Sequence, residues 1–87
     1  MTEIKLTITE EIKLKEQLYA DLNTKSEYHP DLEPDKTDDL NTLIEKYCYW
    51  GDEYNDGYIP EANYDKNDRL AMYLVQEFNK YMDNMCW

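Results

Sequence analysis

The stretch from Trp50 to Asp65 combines carboxylates with aromatic rings and contains no lysine or arginine. Its sixteen positions hold five acidic residues, three tyrosines and one tryptophan. A carboxylate accepts the paired N–H groups of an arginine or the ammonium of a lysine, and a tyrosine ring adds apolar contact area and a hydroxyl. These residue types therefore favour the recognition of a cationic group.

A second set of polar residues precedes and overlaps this stretch at helical spacing. Asp38, Thr42, Glu45, Tyr49 and Asp52 are separated by steps of four, three, four and three, which places them on one solvent-facing line of a helix. Such a line extends about 20 Å, enough to meet several lysines or arginines. The Tyr49 ring suits a protein–protein interface, although a tyrosine on a solvated helix face can also lie along the neighbouring side chains.

Both sets belong to one strongly acidic segment. Residues 27–68 carry thirteen acidic residues against three lysines, which is a net charge of −10 out of −11 for the whole chain. Charge that serves only solubility can be spread over the chain, whereas a binding site needs a concentrated field. The predicted partner-binding residues are Asp38, Asp39, Glu45, Tyr49, Asp52, Glu53, Tyr54, Asp56, Tyr58 and Glu61.

Catalytic chemistry fits the sequence poorly. The chain has one histidine, His29, in a segment without a second histidine or a cysteine, and it has no glycine-rich phosphate loop and no nucleophile motif. We therefore expect a protein that is not an enzyme, with no catalytic residue, no metal site and no cofactor.

Residues 52–63 resemble a calcium-binding loop of the helix-loop-helix type in part. Asp52 and Tyr54 occupy its first and third positions, but a tyrosine replaces an oxygen-rich ligand there. Pro60 stands at the ninth position, and Asn63 stands where such loops carry a bidentate glutamate. A degenerate calcium-binding module is an alternative, with an ordinary Asn-Asp-Gly turn as the favoured interpretation.

Length and composition predict one globular domain over residues 1–87. A hydrophobic share of 41% with 14% aromatic residues is too high for a disordered polyacid. The net charge of −11 repels nucleic acid and anionic membranes and attracts basic proteins. Without an apolar run of spanning length or a leader-like N-terminus, we expect a cytoplasmic protein. Cys48 and Cys86 are expected as free thiols, with a single disulfide bridge as the alternative.

The predicted fold is α+β and mainly helical, with three helices packed on one small core. Ile4, Leu6 and Ile8 alternate with polar residues, which predicts a short N-terminal strand. Its expected partner is the segment around Tyr58 and Ile59, because a lone strand leaves its backbone groups unpaired.

Capping residues and apolar spacing predict the limits of the helices. The third helix has a wide apolar face, which fits an intramolecular core or, in part, a homodimer contact. Asp38 and Asp39 fall in the first turn of the second helix, where the helix dipole also favours negative charge. The predicted limits are Thr7 or Thr9 to Asn23, Thr37 to Gly51, and Asp65 or Asn67 to Asn84.

In size, charge and aromatic content the chain resembles the small phage-type proteins that inhibit by mimicking DNA, among them anti-CRISPR and anti-restriction proteins. The resemblance concerns composition over the whole chain and involves no motif, so it transfers no functional residue. It implies a stoichiometric inhibitor that blocks the DNA- or guide-binding site of a bacterial defence complex, in the host cytoplasm if phage-encoded.

Two other interpretations share the same composition. An immunity protein or antitoxin that neutralises a basic toxin would use charge for fast association and Tyr54 and Tyr58 as anchors. A solvated acidic face without a partner is the other. For the inhibitor we expect a basic, nucleic-acid-binding protein as partner, no direct contact with nucleic acid or membrane, and a monomeric or homodimeric state.

Overall fold

Three α-helices surround one core in the computed structural model, which describes residues 3–63 and 68–85. The helices are α1 (Ile8–Lys25), α2 (Leu40–Tyr54) and α3 (Arg69–Met85). Single 3₁₀ turns follow α1 at Pro30–Leu32 and α2 at Pro60–Asn63. The mainly helical prediction is confirmed, and none of these helices is long and apolar enough to cross a bilayer.

The predicted N-terminal strand is wrong, since the described residues contain no strand. Residues 3–7 instead form an extended arm along α3. The Ile4 N–H donates to Gln76 Oε1 at 2.8 Å, and Gln76 Nε2 donates to the Ile4 carbonyl at 3.1 Å. One side-chain amide therefore satisfies both backbone groups that a neighbouring strand would have satisfied. The Tyr58 N–H donates to the Gly51 and Asn55 carbonyls, away from the arm.

A capping box starts α1. The Glu10 N–H donates to Thr7 Oγ1 at 3.2 Å, and the Thr7 N–H donates to Glu10 Oε1 at 2.9 Å. The helix continues to Lys25, two residues beyond the predicted limit. Ile12 is 56% exposed, and the buried side of the helix consists of Leu14, Leu18 and Leu22 at four-residue steps.

The N-terminus of α2 lies two residues after the predicted cap. Asp39, not Thr37, is the N-cap, and its carboxylate accepts the Thr42 N–H at 2.9 Å. Thr37 belongs to the preceding turn, where its N–H donates to Asp35 at 2.9 Å. The helix also passes through Gly51 to Tyr54.

Gly51 is required by close packing and does not end the helix. A Cβ at this position would lie 2.7 Å from Ile59 Cγ2, 3.0 Å from Phe78 Cε1 and 3.1 Å from the Tyr58 carbonyl oxygen. The chain after α2 thus passes directly over the helix backbone. The chain reverses its direction after α2 at Asp56 and Gly57, whose φ angles of 57° and 76° are both positive.

Asp68 caps α3, and its carboxylate accepts the Ala71 N–H at 3.1 Å. The predicted caps Asp65 and Asn67 lie outside the described residues. All three helices contribute to the core together with Leu32, the last residue of the first 3₁₀ turn, and Ile59, which precedes the second. The buried apolar side chains are Leu14, Leu18, Leu22, Leu32, Leu43, Ile44, Tyr47, Cys48, Ile59, Ala71, Leu74 and Phe78.

Candidate functional site

The outward side of α2 carries part of the predicted line of acidic residues. Glu45, Tyr49 and Glu53 follow one another at four-residue steps and are exposed. Thr42 and Asp52 are half-buried, because α2 packs against α1 on one side and α3 on the other and only a narrow arc stays open. At its C-terminal end, the exposed line therefore contains Glu53 in place of the predicted Asp52.

Asp38 and Asp39 have internal partners at the N-terminus of α2. Lys46 Nζ lies 2.6 Å from Asp38 Oδ2, and this contact lowers the pKa of Asp38 together with the Asp35 N–H. The Thr42 N–H lowers the pKa of Asp39, and Lys15 adds a weaker attraction to both carboxylates. Asp38 is thus paired with a base inside the molecule, whereas Asp39 is bound by a neutral backbone N–H.

Tyr54 is fixed at the C-terminal end of α2 by contacts from the segment after α1. The His29 ring stacks on the Tyr54 ring with centroids 3.8 Å apart and planes 14° apart. The Tyr54 hydroxyl donates to Asp31 Oδ2 at 2.9 Å, and this bond is the main reason that the pKa of Tyr54 rises to about 12. Tyr49 adds an edge contact at 5.9 Å.

The segment between α1 and α2 returns alongside α2. Asp31 contacts Tyr54 at one end of the helix, and Lys46 Nζ donates to the Glu33 carbonyl at 3.0 Å nearer the other end. Because this segment is itself acidic, it adds carboxylates beside those of the helix. We call Asp31, Glu45, Tyr49, Asp52, Glu53 and Tyr54 the acidic surface.

The opposite edge of the acidic surface meets α3. Burial raises the pKa of Tyr81 first, and the carboxylates of Asp52 and Glu53 raise it further. The Tyr81 hydroxyl therefore interacts electrostatically with both carboxylates. The acidic surface thus extends from the first 3₁₀ turn, across α2, to the flank of α3.

The predicted residues after α2 have separate roles. Asp56 is exposed in the turn, and Tyr58 is 41% exposed just beyond it. The Glu61 carboxylate accepts a hydrogen bond from the hydroxyl of the buried Tyr47, so it supports the core. Glu61 thus has an internal hydrogen-bond partner, although its side chain is only half-buried.

The structure places the first positions of the calcium-loop alternative in a helix. Asp52 and Tyr54, its first and third positions, lie within α2 and not in a loop. Within residues 3–63 and 68–85, no three histidine, cysteine, aspartate or glutamate side chains are grouped so that they could hold a metal ion.

Cys48 is the thiol that the structure describes; it is free, as expected, and it is buried in the core. Burial raises its pKa to about 12, and the nearby carboxylates of Glu77, Glu45 and Glu61 add to the shift. A thiol held in the protonated form inside the core is a poor nucleophile. Cys86 lies outside the described residues.

The described acidic side chains of residues 27–68 form fewer salt bridges than the acidic side chains in the rest of the described chain. Among the described acidic residues from position 27 to position 68, only Asp38 forms a salt bridge. No hydrogen bond or salt bridge within the described part of the chain reaches six carboxylates of this segment. These are Glu27, Glu33, Glu45, Asp52, Glu53 and Asp56.

His29 and Asp31 are members of this site that the sequence did not reveal. They precede Tyr54 by more than twenty positions, and no spacing rule connects a loop residue to a helix terminus at that distance. The acidic character of their segment was the only available signal. Comparison of the chain with protein-family models, with curated proteins and with solved structures finds no match.

Proposed function

We propose that the protein is a stoichiometric inhibitor that mimics nucleic acid and occupies the DNA- or guide-binding site of a bacterial defence complex. One observation carries the proposal. Six carboxylates of the central segment have no hydrogen bond or salt bridge within the described chain, and three of them, Glu45, Asp52 and Glu53, lie on α2 with the exposed rings of Tyr49 and Tyr54. Carboxylates without internal partners are available to the lysines and arginines of another protein.

The dimensions of α2 support mimicry of a phosphate backbone. Glu45 and Glu53 are eight residues apart, which corresponds to an axial distance of about 12 Å in an α-helix. One DNA strand places three to four phosphates over about the same axial length. An arginine donates two N–H groups to a carboxylate in the same two-pronged geometry that it uses for a phosphate.

Electrostatic repulsion inside the free protein also supports a bound state. Neighbouring carboxylates raise the free energy of the folded chain, and contact with a cationic protein would remove that cost. The same surface repels nucleic acid itself and the anionic faces of membranes, so the partner is a basic protein.

The test begins with capture of binding proteins from a bacterial lysate at low salt, followed by elution with rising salt. The captured complex is then purified and assayed for DNA binding while the protein is titrated in. We expect competition with DNA that saturates at a fixed stoichiometry and weakens with salt. If the captured protein is a basic toxin with no nucleic-acid site, neutralisation of that toxin replaces mimicry as the function.

Two charge-reversal variants of equal net charge locate the interaction. Glu45→Lys with Glu53→Lys reverses two exposed carboxylates of the acidic surface and should weaken inhibition by about a hundredfold or more. Glu11→Lys with Glu16→Lys reverses two exposed carboxylates of α1 and should leave inhibition nearly unchanged. Equal losses in the two variants would show that overall charge, and not this surface, determines binding.

A further inference from the structure

Tyr54 combines exposure with immobility. Its ring is 41% exposed, yet the His29 ring covers part of it, Asp31 accepts a hydrogen bond from its hydroxyl and Tyr49 contacts it edgewise. An exposed tyrosine without such contacts samples several rotamers and must give them up on binding. For Tyr54 much of that entropy is already lost in the free protein.

Two other exposed tyrosines of the described chain lack this support. Tyr58 has the same exposed fraction of 41%, and Tyr28 is 78% exposed. Neither ring stacks on another ring in the part of the chain that the structure describes. The three aromatic residues His29, Tyr49 and Tyr54, which we call the aromatic cluster, are thus a distinct feature of the acidic surface.

The chemistry around the aromatic cluster distinguishes between the two cationic side chains. A guanidinium group is planar and weakly hydrated, so it can lie on an aromatic ring while its edge N–H groups point outward to carboxylates. Glu53 adjoins Tyr54 in sequence, Glu45 lies one helical turn before Tyr49, and Asp31 contacts the Tyr54 hydroxyl. A lysine ammonium is compact and strongly hydrated, and it gains less from a flat ring bordered by carboxylates.

We propose that the aromatic cluster binds an arginine guanidinium, so that the partner contacts this surface through an arginine-rich segment and not a lysine-rich one. The inference rests on the proposed function, because it requires a cationic partner. It adds the residue type by which that partner is recognised and the place on the acidic surface where recognition is centred.

The test compares two peptides of equal length and charge that carry arginine or lysine at the same positions. Their affinities for the whole protein are measured by calorimetric titration at low ionic strength. We expect the arginine peptide to bind about tenfold more tightly, the ratio that a cation–π contact at a partly desolvated site supplies.

Variants assign that preference to the aromatic cluster. Tyr54→Ala should reduce the preference for arginine to about twofold or less, because the ring is lost. Tyr28→Ala is the control, since it removes an exposed ring that stacks on no other ring of the described chain and is not a predicted partner-binding residue, and it should keep the full preference. His29→Ala removes the stacking ring from outside α2 and should give an intermediate value, which provides a second variant if Tyr54→Ala does not fold by circular dichroism.

The outcomes separate this inference from the proposed function. Equal binding of the two peptides overturns the arginine preference and leaves a cationic partner in place. A preference that persists unchanged in Tyr54→Ala and His29→Ala overturns the role of the aromatic cluster. If neither peptide binds the wild-type protein, the proposed function and this inference both fail.

Discussion

Two regions of the molecule use carboxylates in opposite ways. On one side, which we call the charge-paired side, Glu3 pairs with Lys80 and Glu10 pairs with Arg69, so that the arm and α1 are joined to α3. On the acidic surface, the carboxylates of Glu45, Asp52 and Glu53 have no such partner within the described chain. The same residue type therefore holds the fold together in one region and remains available for another molecule in the other.

The positions of the lysines and arginines explain why the carboxylates are paired in one region and unpaired in the other. The residues that hold the charge-paired side come from α3, where Arg69 donates to Glu10 at 3.0 Å and to the Lys5 carbonyl at 2.8 Å. At the end of α1, Lys25 contacts Asp21 at 2.9 Å and also lies over the Trp50 ring at 4.1 Å. Near the acidic surface, the ammonium of Lys46 is already bound by Asp38, at the far end of α2.

The largest effect is expected at the packing contact that holds the C-terminal half of α2. Gly51→Ala should lower the free energy of unfolding by about 2 kcal/mol, because the clash with Ile59 and Phe78 exceeds the gain in helix propensity. Gly57→Ala is the control. Its Cβ would have Met82 Cε at 3.9 Å as its nearest neighbour, so only the positive φ costs energy, about 1 kcal/mol.

Urea denaturation measures both glycine variants. Because Gly51 fixes the helix that carries the acidic surface, its substitution should also weaken binding of the arginine peptide, whereas Gly57→Ala should change binding less. A Gly51→Ala protein as stable as the wild type would mean that the chain after α2 is not held against the helix.

The second effect concerns the arm on the charge-paired side. Gln76→Ala removes both hydrogen bonds to the Ile4 backbone and should lower the free energy of unfolding by about 1 kcal/mol. Asn79→Ala, at an exposed position of the same helix, is the matched control and should have little effect. Hydrogen exchange of the Ile4 amide gives a local measurement, and unchanged protection in Gln76→Ala would contradict the pairing.

Salt should affect the two regions in opposite directions, with the acidic surface dominating. Raising the ionic strength from about 0.01 M to about 0.15 M shortens the Debye length from about 30 Å to about 8 Å and screens the repulsion among free carboxylates. We expect the melting temperature to rise by about 2–4 °C, as measured by calorimetry. Glu45→Gln with Glu53→Gln should reduce this rise more than Glu11→Gln with Glu16→Gln, and a fall with salt would show that the paired charges dominate.

The smallest effect is the pH dependence of the Glu10 contact. The pKa of Glu10 is lowered from 4.5 to about 2, mainly by the hydrogen bond from Arg69 and secondly by the Thr7 N–H. A lowered pKa in the folded state stabilises the protein above the unfolded value, and this contribution is lost as the pH falls from about 4.5 towards about 2. The difference in unfolding free energy between wild type and Arg69→Ala should therefore shrink over this range. It should not vanish, because the bond to the Lys5 carbonyl does not titrate, and a difference that is constant with pH would contradict the pairing.

The helices could be predicted because their signals are local. Leu14, Leu18 and Leu22 repeat at the period of a helix and are all buried. The N-cap of α2 was misplaced by two residues, because Thr37 and Asp39 are both good caps and Thr37 instead bonds to Asp35 in the preceding turn.

The strand and the aromatic cluster depend on contacts that no local signal contains. Alternation at Ile4 and Leu6 fits an arm lying on a helix as well as it fits a strand, and Gln76 is seventy-two positions away from its backbone partner. The His29–Tyr54 stack likewise joins a loop to a helix end through the tertiary fold. The acidic character of the surface was visible in the sequence, whereas the division between free and paired carboxylates was not.

The thiol of Cys48 offers a way to time the opening of the core. Its side chain is 1% exposed on the inner face of α2, so a thiol reagent can reach it only while that helix is separated from its neighbours. In a Cys86→Ser variant, the rate at which the reagent modifies Cys48 would measure how often the helix separates from its neighbours. Comparing that rate with and without the arginine peptide would show whether occupation of the outer face keeps the inner face closed.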